Sequence, residues 1–93
     1  DLVNSNREYI ADGSVQLFPN PAGDFATLTM DEQYRSDNYQ VVMYDLGGSE
    51  VWRGVWGQAY EFMTIPLTGL ASGFYTVRMS SDKYTMSVKL IHN

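Results

Sequence analysis

From residue 15 onward the chain is broken by turn-forming residues at intervals of about 8 to 12 residues, and no stretch between breaks carries a helical repeat. Apolar and polar residues alternate instead. In Phe25 to Met30, Ala26, Leu28 and Met30 take one face and Phe25, Thr27 and Thr29 the other, which is the period of a half-buried strand. The same pattern predicts strands at Val15 to Phe18, Tyr39 to Tyr44, Glu50 to Val55 and Phe62 to Leu67, the last with Met63, Ile65 and Leu67 inward. A sixth strand carries Tyr75, Val77 and Met79 on one face, and a seventh, Tyr84 to Ile91, carries Met86, Val88 and Leu90.

The breaks have their own chemistry. In Pro19-Asn20-Pro21-Ala22-Gly23-Asp24 two prolines remove ladder donors and a glycine permits the reversal. Asp45-Leu46-Gly47-Gly48-Ser49 is a hairpin signal, because tight β-turns need positive φ. Asp31 to Asn38 reads as a polar loop and Ser80-Ser81-Asp82-Lys83 as a turn, while Pro66 is tolerable at an edge or strand end. Leu70-Ala71-Ser72-Gly73-Phe74-Tyr75 places a glycine two residues before a tyrosine and a leucine three before the glycine. That arrangement is similar to the tyrosine corner of immunoglobulin-like sandwiches, whose phenol bonds back to upstream backbone. The expected fold is therefore an all-β, immunoglobulin-like two-sheet sandwich of about seven antiparallel strands, with an open or barrel-like β-fold as the alternative.

Ninety-three residues allow one domain with a small core, and without cysteine that core must hold by packing alone. A single histidine excludes a multi-histidine zinc site, and no cofactor is implied. The net charge of -5, with six scattered Lys and Arg, argues against nucleic acid or an anionic membrane as the main partner. Residues 1 to 14 are polar and irregular and read as a linker. The N-terminus lacks a basic start followed by an apolar run, and no segment approaches the roughly 18 apolar residues of a spanning helix. The chain is then either not exported by a signal peptide or a piece of something longer.

Candidate chemistry is sparse. His92 has no serine or aspartate near it in a nucleophile elbow, so a hydrolytic triad is not supported and the chain is expected not to be an enzyme. Asp31, Glu32, Asp37, Asp45 and Glu50 lack the spacing of a calcium loop and read as solvated charge. Gly47-Gly48 is a turn and not a phosphate loop, since neither Lys-Ser nor Lys-Thr follows. Trp52, Trp56 and Tyr60 form the most interesting cluster, with Trp52 and Trp56 on one strand face. They serve either as a stacking platform for a sugar or protein or, the favoured account, as sheet packing. Lys83 and Lys89 read as surface charge that protects sheet edges.

From Val15 to Asn93 the sequence resembles the C-terminal sorting domain of cargo proteins exported by the type IX secretion system. Val15-Gln16-Leu17-Phe18-Pro19-Asn20-Pro21-Ala22 is similar to that family's opening strand and turn, and Val42 to Val51 to its central hairpin. Leu70 to Val77 matches its most distinctive block and Lys89-Leu90-Ile91 its basic-then-apolar ending. The resemblance implies a folded secretion signal at 15–93, attached to an N-terminal cargo that passes through the periplasm to the cell surface or beyond. It also implies an outer-membrane translocon and a sortase-like peptidase as partners, with the processing site within or before the linker at 1–14. Pro19, Asn20, Pro21, Gly47, Gly48, Leu70, Gly73 and Tyr75 are then the structural motif. The last strand is expected at or near a sheet edge, where Lys89, Leu90 and Ile91 are the favoured contacts for the machinery. Edges of this kind also permit self-association. The rival function is a carbohydrate- or protein-binding accessory module of a secreted enzyme, using Trp52, Trp56 and Tyr60.

Overall fold

A computed structural model of the chain describes residues 8–9 and 14–93, and it consists of two packed β-sheets. The strands are β1 (Glu8–Tyr9), β2 (Val15–Phe18), β3 (Phe25–Met30), β4 (Tyr39–Asp45), β5 (Glu50–Trp56), β6 (Met63–Pro66), β7 (Gly73–Ser80) and β8 (Tyr84–His92). One sheet has the order β1-β8-β7-β4-β5 and the other β2-β3-β6. Every pairing is antiparallel except β1 with β8, where Glu8 lies against Tyr84 and Tyr9 against Thr85. The seven strands expected from the alternation are all present, in two layers, and the open or barrel-like alternative does not apply.

The differences lie at the ends. The fifth expected strand is shorter, Met63–Pro66, because the Leu67 N–H leaves the ladder and donates to Asp24 O at 2.8 Å. Leu67 still points into the core, and Pro66 ends an edge strand. Within the segment read as linker, Glu8–Tyr9 forms the short β1, whereas the remainder of 1–13, where a processing site is one expectation, lies outside the described residues. A 3-10 turn at Glu32–Tyr34 interrupts the loop before β4.

The core is what the period of 2 selects. Tyr39, Val41 and Met43 of β4, Tyr75, Val77 and Met79 of β7, and Met86 and Leu90 of β8 face Leu17, Ala26, Leu28, Met30 and Ile65 of the smaller sheet. Burying a side chain of the size of Leu28 or Ile65 stabilises the fold by about 1.5–3 kcal/mol. With no cysteine to form a disulfide, this interleaving carries the domain. The hairpin between β4 and β5 closes with Gly48 at φ +88°, its N–H donating to Asp45 O at 3.0 Å, while the Ser49 N–H donates to Asp45 Oδ1 at 2.9 Å. The bonds Phe18–Pro19 and Asn20–Pro21 are cis.

Candidate functional site

The motif blocks scattered along the chain meet at one end of the sandwich. Gly73 opens β7 at φ +147°, a conformation that residues with a Cβ resist, and the strand then carries Tyr75 inward. The Tyr75 hydroxyl donates to Ala71 O, which completes the tyrosine corner. His92 sits beside it, with Nδ1 3.1 Å from Ala22 O and Nε2 3.2 Å from Leu70 O. The one imidazole of the chain thus bridges the Pro-Asn-Pro turn to the block before β7. Asp45, at the end of β4, pairs with Tyr75, so the glycine hairpin belongs to the same end.

The last strand is neither a free edge nor fully enclosed. β8 pairs with β7 along the whole of β7, from Gly73 opposite His92 to Ser80 opposite Thr85. On its other side β1 covers Tyr84 and Thr85, and the turn after β2 covers the end: Asn20 Nδ2 donates to Lys89 O at 3.1 Å and the Ile91 N–H donates to Asn20 Oδ1 at 2.9 Å. Leu90 is 0% exposed and packs in the core, so the expectation that it contacts a partner fails for the folded domain. Lys89 and Ile91 alternate with it and point outward, because one residue along a strand reverses the face. Lys89 lies opposite Thr76 and Ile91 opposite Phe74, which is 50% exposed. Exposed Leu46 in the hairpin loop lies beside Phe74 and Lys89, so these residues make an apolar patch with the Lys89 cation and the Asp45 carboxylate at its margin. Phe74 and Leu46 were not singled out from sequence; the alternation of β7 would have marked Phe74 as an outward aromatic.

The outward face of the large sheet also carries Arg53 and Arg78, both in register with Val42. Arg53 reaches Glu50 at 2.9 Å, and this hydrogen bond holds the Glu50 carboxyl below its ordinary range. As an exposed pair it adds little stability.

The tryptophan cluster does not form a platform. Trp52 and Trp56 do share the inward face of β5, in register with Met43 and Tyr39. Trp56 is only 3% exposed, and its Nε1 donates to Tyr60 O at 2.9 Å. Trp52 lies across Gly54 so closely that a Cβ there would stand 2.6 Å from its ring. Tyr60 alone projects, at 68% exposure. The three rings therefore serve sheet packing and one loop, and the stacking arrangement expected for a ligand is absent because its central ring is in the core.

At the opposite end a polar depression of about 420 Å³ lies among Asp37, Asn38, Gln40, Gln58 and Ser80 to Asp82. Its one buried hydroxyl, Ser81 Oγ, donates to Asp37 Oδ2 at 3.0 Å and accepts the N–H groups of Lys83 and Tyr84. That geometry locks a turn, with the Asp37 carboxylate and two backbone N–H groups all engaged by the one hydroxyl. Lys83 is exposed there. Among the described residues no group of three or more His, Asp or Glu side chains gathers to hold a metal.

Comparison with known proteins agrees with the architecture. A DUF3244 family protein from Bacteroides vulgatus with an immunoglobulin-like β-sandwich fold superposes with a TM-score of 0.68, covering 86% of this chain and 84% of that one. At 11% identity the likeness is one of fold alone. No curated protein matches the chain. Residues 16–93 match the family model of the secretion system C-terminal sorting domain.

Proposed function

The chain belongs to the C-terminal sorting domains of the type IX secretion system, and from this premise we propose that it carries an N-terminal cargo across the outer membrane and is then removed by a sortase-like peptidase acting within or before residues 1–14. A sorting domain implies such a cargo, as well as export to the cell surface or extracellular space. In this reading the precursor passes through the periplasm, the outer-membrane translocon and the peptidase are its partners, and the domain itself performs no catalysis. The observation that carries the reading is the family match over residues 16–93.

The machinery reads the folded domain through side chains on the outward face of the large sheet. Lys89 supplies the charge, and Ile91 with Phe74 supplies the apolar contact. Leu90 contributes by holding β8 in place, and the Pro-Asn-Pro turn, Gly47-Gly48, Leu70, Gly73 and Tyr75 build the end that presents the patch. A small apolar center beside a charge is the usual composition of a contact dominated by a few residues.

The test is a reporter carrying residues 1–93 with Lys89→Glu and Ile91→Ser together. Both positions face outward, so the domain stays folded by circular dichroism while surface delivery falls by about tenfold or more, as expected when two contact residues are lost. Undiminished delivery from a folded variant places recognition elsewhere on the domain. A Trp52→Ala and Tyr60→Ala pair leaves delivery unchanged in this account, and a glycan screen of the isolated domain is blank.

A further inference from the structure

From Lys89 O to the end of β8 and the residue after it, the backbone groups that point away from β7 are Lys89 O, Ile91 N and O, and Asn93 N. Groups of this kind, left open, are a template for an added strand. Here each has a partner supplied by the turn after β2. Asn20 Nδ2 donates to Lys89 O at 3.1 Å, and the Ile91 N–H donates to Asn20 Oδ1 at 2.9 Å. Two residues on, the Ala22 N–H donates to Ile91 O at 2.7 Å and the Asn93 N–H donates to Ala22 O at 2.9 Å.

The chemistry is that of a strand made without a strand. A carboxamide presents one donor and one acceptor side by side, as a peptide unit does, so the Asn20 side chain stands in for the first residue of a pairing strand. Aspartate has no donor to offer Lys89 O. Ala22 supplies the second peptide unit and forms a parallel bridge with His92, buried completely. The prolines on either side of Asn20 have no N–H, so the turn cannot itself extend into a longer ladder. Two of the outer strands are blunted by different means: β5 carries a register shift opposite Met43 and Tyr44 and the charges of Arg53 and Glu50, and β6 ends in Pro66.

We propose that Asn20 and Ala22 form an in-chain plug of the terminal edge, which keeps residues 89–93 closed to strand addition by a second copy of this chain. The plug accounts for how a strand next to the margin of its sheet displays Lys89 and Ile91 by their side chains while its backbone from Lys89 O to Asn93 N is paired. It stands apart from the export function and can be tested without the secretion machinery.

The experiment is amide hydrogen exchange and sedimentation on the chain 1–93. In the unaltered protein the Ile91 and Asn93 amides are protected. Asn20→Ala speeds exchange at Ile91 by about tenfold or more, leaves the Leu90 amide protected because it faces β7, and produces dimers that grow with concentration. Asn20→Asp, which keeps the acceptor and lacks the donor, also self-associates. Tyr75→Phe, which weakens the fold without opening the edge, stays monomeric. Unchanged Ile91 exchange in Asn20→Ala, or a variant that is monomeric at every concentration although Ile91 is exposed, overturns the proposal. If Asn20→Ala does not fold, the unaltered protein decides the matter, since Ile91 and Asn93 amides exchanging like those of an unfolded chain contradict the plug.

Discussion

Tyr75 and Tyr39 are two solutions to one problem at opposite ends of the large sheet. Each ring is buried, and each hydroxyl donates to a backbone carbonyl a few residues upstream, Tyr75 to Ala71 and Tyr39 to Tyr34 at 2.6 Å. The surroundings differ. Tyr75 sits where distant blocks converge, with His92 spanning Ala22 and Leu70 beside it. Tyr39 sits where one loop re-enters the sheet, against Trp56 on the neighbouring strand and under the 3-10 turn at Glu32–Tyr34. The first end is held by long-range partners and displays the terminal strand, while the second end is held by loops and displays little. Damage that disturbs the terminal strand at the first should therefore reach both stability and export, and damage at the second should reach stability alone.

The largest expected break is at Leu90, which joins the two properties. Leu90→Ala removes a fully buried side chain from β8 and should cost about 3 kcal/mol, read as a lower denaturant midpoint, and delivery of a fused reporter should fall with it. Next comes pH, which acts at the Tyr39 end. Burial, before any neighbouring charge, pushes the Tyr39 phenol up to about 12 from an ordinary 10.0. The unfolded chain then loses its proton first, so stability that is intact below pH 10 is lost as pH rises toward 12, by on the order of 2 kcal/mol. Denaturant midpoints on either side of that window show the loss, and Tyr39→Phe should flatten it.

Tyr75→Phe is the smaller test of the other end. Losing the hydrogen bond to Ala71 should cost about 1 kcal/mol, visible as a modest fall in Tm, while the outward Lys89 and Ile91 remain in place and export of the folded fraction persists. The smallest effect belongs to Tyr60→Ala, within about 0.5 kcal/mol in the same melt, because the ring projects into solvent and only its carbonyl holds Trp56.

The two tyrosines also show why some of this structure was legible in the sequence and some was not. The corner at Tyr75 announces itself because Gly73 must take a positive φ and stands at a fixed short distance. Tyr39 bonds to a carbonyl in a polar loop that contains no glycine or proline, and nothing local marks it. The strands and their inward faces followed from a period of 2, which needs no knowledge of the partner strand, and so Leu28, Val77 and Met86 were readable as core. The same period marks Leu90 as inward and Lys89 and Ile91 as outward, because alternate residues of a strand face opposite ways, so a contiguous motif is not one contact surface. Trp56 follows the favoured account, sheet packing, although composition shows an aromatic and not which layer covers it. Asn20 could be read as a turn residue, yet its bonds to Lys89 and Ile91 cross about 70 positions of sequence, a distance at which no local pattern speaks.

The most direct measurement of the central claim is delivery of a passive reporter fused ahead of residues 1–93, in a host with an intact type IX apparatus and in the same host without it. The account predicts reporter on the surface or in the medium in the first and retained in the periplasm in the second. Retention in both hosts with the domain folded, or delivery in both, contradicts it.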